Sequence, residues 1–570
     1  MQNDAHTDRL HSLDALRAWA MLLGIVLHAA WFMSTRYFGT PITDADGSYF
    51  YEYVLYFIHI FRLQAFFLMA GLFAHLVFSR RGTWRFIWHR ISRIAIPLLI
   101  GWLLLYPVMM LQYAWGGIES GRILTDQGLG ATTLQELVSS LQMNASAFIH
   151  LWFLYDLLVI YAITLIVVLL MHKVIDRSGR IRRQISRGFR WLLQSWWSIV
   201  LLSIPSAIFL YFEDWWWGLG AYPINFIPDW PGLMGYCLFF AAGWLLYSQL
   251  NLLSDISRNW RRKLGLGVAL SIPLFVVSTV LDYSVTPTYP LLDSNSFVRD
   301  HRDLLAAADR HVAEPNGADQ LLNPSRMIVD ALSPEYLALL ENHDQLTPDQ
   351  KVGLATEIND AVLSSESLAA PENWTTAKLP KEVAEMLADD SNRSDPAKLQ
   401  LLNKKLLEAT LPGMFLTDFK DRPRVRIYKA VFSAGYALAM WLLVFGAIGL
   451  FTHYFSHPSP VSRYIADSAY WIYLVHLPIL FQIEVLVAPY QWGLFGIPKF
   501  LFYTAVTTVL CFASYHYLVR SSLIGRVLNG RTYPFKPLIK PRIVSMPGDV
   551  LANEAFDVEQ TNPVPGQEIP

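Results

Sequence analysis

His28 and Arg17 are the first residues from which chemistry can be argued. Both lie in Leu13–Met33 (LDALRAWAMLLGIVLHAAWFM), about 20 mostly apolar residues, enough to cross a bilayer as a helix. Their spacing turns a helix by about 1100°, some 20° beyond three full turns, so both side chains share one face about 16 Å apart. An ionisable group within a membrane is costly and by default faces the bundle interior. A snorkelling arginine and a structurally bonded histidine would need no site, so the rest of the chain must be weighed.

Three further groups come to the same depth when position is converted to height at about 1.5 Å per residue: Arg62, Asp156 and His476. Buried charges need partners, and a shared cavity would supply them. Asp156 also reads as a structural partner. His59 and Gln64 flank Arg62; His150 and Trp152 stand at the start of their span, where a polar substrate could meet them. The tryptophans at 215–217 and Trp230 could stack a sugar, although an interfacial aromatic belt explains them more simply. At the opposite end, Arg85, Arg90 and Arg93 either reflect ordinary positive-inside bias or cradle a phosphate, and three-residue spacing puts Arg90 and Arg93 on one helical face.

The elements that must position these groups are membrane spans. The 570-residue chain is 54% hydrophobic and 14% aromatic, with mean hydropathy +0.31, which excludes an ordinary soluble enzyme. Ten apolar runs predict an all-α polytopic fold: 13–33, 49–79, 94–113, 148–172, 192–212, 232–249, 264–283, 427–452, 463–487 and 497–519. The first is too long for a signal peptide and is expected to be retained. Arginine-rich links follow spans two, four and six, so the positive-inside rule puts them and both termini in the cytoplasm. Four parts are expected: a membrane body over 1–283, an acidic insert over 284–425, the rest of the body over 426–525, and a cytoplasmic tail over 526–570. The insert holds 23 acidic against 14 basic residues, the remainder 31 basic against 23 acidic. It should be a small extracytoplasmic domain, with helices starting at Ser333-Pro334-Glu335 and Thr347-Pro348-Asp349 and others over 382–389 and 396–409. Cys237 and Cys511 lie in apolar runs, so no disulfide framework or cysteine metal site is expected. No metal, permanently bound cofactor or nucleic-acid partner is expected either.

An imidazole inside such a bundle is a candidate general base, and Arg62 beside it could stabilise an oxyanion. A basic inner mouth suits an anionic donor. These parts suit acyl transfer from a cytoplasmic donor to an external hydroxyl. A proton-coupled transporter also uses intramembrane His, Arg and Asp, but the two halves show no matched pair of broken spans.

Arg17-x10-His28 resembles the motif of the acyltransferase-3 family of membrane acyltransferases, and the resemblance extends to FIHIFRLQAFFLMAGLF (57–73), HRISRIAIP (89–97), HLWFLYDLLVIY (150–161) and WIYLVHLPI (471–479). Within the family it resembles members that succinylate periplasmic glucans. The resemblance implies that His28 is the catalytic base, that Arg17 supports it or the donor, and that Arg90 and Arg93 face the donor's phosphates. It implies an acyl-CoA donor (succinyl-CoA or acetyl-CoA), a glucan or other surface glycan or lipid-linked sugar as acceptor, and a bacterial inner membrane location. The long insert departs from the shorter pattern of these relatives.

Overall fold

The computed structural model describes residues 2–34, 44–119, 129–134, 148–213, 216–220, 227–285, 334, parts of 363–406, 423–457, 459–529 and 533–534. Among them the chain forms helices and no strands. The membrane body is built from α1 (Gln2–Phe32), α2 (Tyr49–Arg90), α3 (Ile96–Glu119), α4 (Trp152–Leu170), α5 (Arg180–Gln194), α6 (Ser198–Phe212), α7 (Trp230–Tyr247), α8 (Trp260–Val285), α9 (Pro423–Tyr454), α10 (Pro460–Val487) and α11 (Ile497–Ser514).

Nine of the ten expected spans each fall on one of these helices, and the fifth is divided between two. Eight helical stretches are individually long and apolar enough to cross a membrane. One of them, Tyr49–Glu119, is 71 residues long, about three times what a crossing needs, and contains two expected spans. Gly82 breaks it at φ 72°, a left-handed conformation that glycine adopts without steric cost. Contacts show that the chain reverses there. Arg17 lies over the Phe73 ring and Gly24 approaches Arg62, so α1 and α2 are antiparallel. Gly101 lies near Leu474 and Gln112 Nε2 donates to the Pro478 carbonyl, so α3 runs alongside α10 in the same sense. α1 does the same, with Phe32 stacked on Phe481 at 5.5 Å.

The fifth expected span is altered. Only its first three residues, 192–194, belong to the basic helix α5 that precedes it; α5 is bent by 114° from α6, which at 15 residues spans only about 22 Å.

Small residues set the closest helix contact. A Cβ on Gly71 would fall 1.9 Å from the Phe240 carbonyl oxygen, and one on Gly243 would fall 1.8 Å from that of Leu68. α2 and α7 therefore touch backbone to backbone, a contact small residues allow inside membranes. At the start of α10, Pro460 takes the first helical position and Ser459 accepts from the Ser462 amide, a proline start with a capping hydroxyl.

At the end of the bundle away from the arginine-rich links, Lys499 of α11 is fully buried and ties three segments together. Its ammonium donates to Asp44 Oδ1 (2.8 Å) and to the Ala488 (2.9 Å) and Tyr490 (2.7 Å) carbonyls. Tyr503 donates to the other Asp44 oxygen at 2.6 Å, and Asp46 accepts from the Trp492 and Gly493 amides.

Within the insert, Lys381–Ala388 and residues 396–403 are helical, close to two of the expected helices. The expected helix starts near 333 and 347, and most of the tail over 526–570, lie outside the described residues. Cys237 and Cys511 are free thiols.

Candidate active site

The polar residues of α1, α2 and α10 meet around a cavity of about 60 Å³ in the middle of the bundle. His28, His59, Arg62, His150, Trp152, Tyr473 and His476 line it, closed by Leu27, Leu63, Phe66 and Phe153. The His28 and His476 rings are 5.2 Å apart, and those of His150 and His476 5.6 Å. One turn below His28, Gly24 leaves the space that Arg62 occupies: a Cβ there would stand 2.6 Å from Arg62 Nη1 and 3.6 Å from His476 Nε2.

Hydrogen bonds orient the rings. His476 Nδ1 reaches the carbonyls of Ile472 (3.0 Å) and Tyr473 (2.8 Å), which only accept, so Nδ1 carries the proton and Nε2 a lone pair. His150 Nε2 likewise donates to the Leu474 carbonyl at 3.0 Å, leaving its Nδ1 as acceptor. His28 Nδ1, His150 Nδ1 and His476 Nε2 are buried and meet no hydrogen-bond partner among the described residues. Placing His150 strains the backbone: Ile149 before it has φ 46°, a costly conformation for a β-branched residue. Tyr473 then fastens that turn to α10 by donating to the His150 carbonyl at 2.7 Å.

Asp156 and Gln64 do not reach the cavity. From α4 the cavity takes only Trp152 and Phe153, in the first turn, and Asp156 lies one turn further along. There it is buried in the field of Asp229, with the Cys237 thiol in its own field. Gln64 lies two residues beyond Arg62, about 200° around α2, and its buried amide has no hydrogen-bond partner among the described residues.

Arg17 sits below the cavity, paired with Asp14 at 2.6 Å and resting on Phe73. The inner arginines separate. Arg90 turns inward over the Phe86 and Tyr161 rings, at 4.9 and 4.4 Å, within the fields of Arg17 and Arg81. Its Nε and Nη2 are buried without a hydrogen-bond acceptor among the described residues. Arg93 instead donates to the Leu528 carbonyl at 3.3 Å, and Arg85 is exposed. The shared face expected of Arg90 and Arg93 is absent because Ile91–Ala95 forms a π-helical turn, whose wider winding rotates one away from the other.

Of the tryptophans expected to form a belt, Trp216 and Trp217 depart from it, and Trp215 lies outside the described residues. Trp216 and Trp217 are 3% and 1% exposed, Trp217 edge-on to Tyr56 and its carbonyl bound by Tyr436 at 2.9 Å. They anchor the loop after α6, while Trp230 is exposed as an interfacial residue would be. Among the described residues no three His, Cys, Asp or Glu side chains are placed to hold a metal ion.

Gly24 and Tyr473 were not anticipated as parts of the site. Gly24 carried a signal: a glycine four residues before His28 on the same helical face, inside an otherwise bulky span.

A bundle of membrane spans around a histidine–arginine cavity fits the family to which the chain belongs: the acyltransferase domain profile matches residues 10–297, half of the sequence. Among named proteins it is similar to glucans biosynthesis protein C of Escherichia coli strain K12 and of Escherichia coli O6:K15:H31 (strain 536 / UPEC), each 35% identical over 159 residues. That stretch is 28% of this chain and 38% of the length of those proteins. No solved structure matches the chain.

Proposed function

We propose that this multi-pass membrane protein is an O-acyltransferase, moving an acyl group from a cytoplasmic acyl-CoA to a hydroxyl of an extracytoplasmic glycan. The observation that carries the reading is the meeting of His28, His476 and Arg62 around one buried cavity, with His28 Nδ1 and His476 Nε2 meeting no partner among the described residues. His28 takes the proton of the acceptor hydroxyl as its oxygen attacks the thioester carbonyl. Arg62 stabilises the negative charge on the carbonyl oxygen. The carbon–sulfur bond then breaks, and the thiolate leaves with the proton returned from His28.

On this reading Arg90 takes a donor phosphate, since its buried Nε and Nη2 meet no acceptor among the described residues, while Arg17 supports His28 or the donor. Arg93 and Arg85 contribute charge to the mouth. The similarity to glucans biosynthesis protein C favours a glucan acceptor; the acyl group is succinyl on the resemblance of the sequence motifs, and an acetyl donor would use the same groups. The excess of arginine at the ends of α2, α4 and α7 favours that end as cytoplasmic, in a bacterial inner membrane, with the 284–425 insert on the opposite side.

The test is transfer of label from radiolabelled succinyl-CoA and acetyl-CoA to a glucan by the purified protein. Transfer abolished by His28→Ala in a normally folded protein is the expected result. Undiminished transfer by that variant would overturn the assignment.

A further inference from the structure

A second cavity, of about 640 Å³, opens on the flank of the bundle beneath α5. It shares no lining residue with the histidine cavity. Its inner wall is apolar, formed by Ile160, Ile163 and Thr164 of α4 and Phe240 and Ala241 of α7. Its rim toward the arginine-rich end carries His75, His172, Arg182 and Ser186. Arg182 is held in place: its backbone amide and Nε donate to Asp176 Oδ2, and its Nη1 lies 2.6 Å from His172 Nδ1.

The side of the opening is apolar as well. Val167 and Ile185, both about half exposed, line it, and Ile166 and Leu170 lie beside it on α4. A ligand entering this way comes out of the hydrocarbon, so it must be an amphiphile. The volume lies within the roughly 300–1,000 Å³ of small-molecule sites.

α5 specifies the charge of that amphiphile. Arg180–Gln194 carries five arginines and no acidic residue, buries Phe189 and Leu193, and is bent 114° away from the direction of α6. A basic amphipathic helix lying across the membrane direction attracts anionic headgroups, by about 1 kcal/mol for each cation near the surface.

We propose that this groove binds an anionic glycerophospholipid of the leaflet at the arginine-rich end. Its phosphodiester rests against Arg182 and His172, and one acyl chain lies along α4 and α7. The proposal is independent of the acyl-transfer reading, because no residue of the reaction is involved.

The experiment uses the full chain in nanodiscs with phosphatidylglycerol or phosphatidylcholine carrying a photoactivatable group in the acyl chain, and maps the cross-links by mass spectrometry. Phosphatidylglycerol should label α4 and α7 in preference to phosphatidylcholine. Arg182→Gln should weaken that preference about fivefold, the loss of one surface cation. Ala241→Trp, which fills the groove without touching the Arg182–Asp176 contact, should abolish labelling while the thermal midpoint stays near wild type. Equal labelling by the two lipids, or labelling that survives Ala241→Trp, would overturn the site. Displacement of the lipid by soluble coenzyme A or inorganic phosphate would do so too, by giving the groove to a water-soluble anion.

Discussion

The His28 cavity and the Lys499 anchor are both buried polar clusters, one in the last turns of α1 and the other just beyond its end, and they are built in opposite ways. At Lys499 the charge is matched by acceptors: one carboxylate and two carbonyls take its protons, and Tyr503 takes the remaining carboxylate oxygen. Around His28 three ring nitrogens are buried with no partner among the described residues, and a guanidinium stands among the imidazoles. A buried polar group without a partner costs about 1–3 kcal/mol, so such an arrangement persists only where the rest of the fold holds it. The anchor supplies holding of that kind, and the cavity uses it. Of these two clusters, the saturated one suits a structural role, and the unsaturated one suits the proposed reaction.

Exchanging the readouts of the two regions is the strongest way to break that division. His28→Ala should lower acyl transfer by about 100-fold to 10,000-fold, the worth of a general base, with the thermal midpoint unchanged or raised. Lys499→Met should do the reverse. It strands Asp44 in a buried site and should cost about 3–5 kcal/mol of stability, with transfer per folded molecule close to wild type. The double variant Lys499→Met with Asp44→Leu should recover part of that loss, since removing both charges ends the mismatch. A His28 variant that unfolds, or a Lys499 variant that folds well but is inactive, would erase the distinction.

Gly24 sharpens the comparison because it touches the cavity without being charged. In Gly24→Ala the added methyl meets the far end of the Arg62 side chain, which can move, so stability should change little. Transfer should fall by up to about 100-fold, the effect of a displacement of about 1 Å at a reacting centre. The contrast is Gly243→Leu, whose side chain would meet the Leu68 backbone; its cost should appear as about 1–3 kcal/mol of stability. Thermal melts and transfer rates on both variants check the pair.

How much of this was legible in the sequence follows from what each feature depends on. The spans were readable because hydrocarbon thickness fixes helix length, and the stretches around His28, Arg62 and His476 because intramembrane charge is rare. Helical phase was readable within a span and failed across a change of winding, which is why Arg90 and Arg93 part at the π turn. The Lys499 anchor was invisible, since Asp44 is 455 residues away and only the folded bundle brings them together. Height along a span placed Asp156 with the histidines, but helix tilt and the position of span ends shift such heights by a turn. The cavity meets α4 only in its first turn, and Asp156 belongs to the next.

Glu213 falls between the two regions and offers the smallest test. It ends α6, is 6% exposed, and accepts from the Gly220 amide at 3.0 Å, holding the loop whose Trp217 covers Tyr56. Burial, and next the Asp229 carboxylate, push Glu213 up to about 8, against a weaker opposing pull from Lys429. The folded protein thus keeps a proton that the unfolded chain, at the ordinary 4.5, has released. The stability from this group is fully present below about pH 4.5 and is lost as pH rises through about 8. Wild-type protein should melt at progressively lower temperature between those limits. Glu213→Gln keeps an oxygen for the Gly220 amide but has nothing to titrate, so its melting temperature should vary less over the same range. Parallel curves for the two proteins would show that the loop carries no such proton, and would move Glu213 to the saturated, structural side of the comparison.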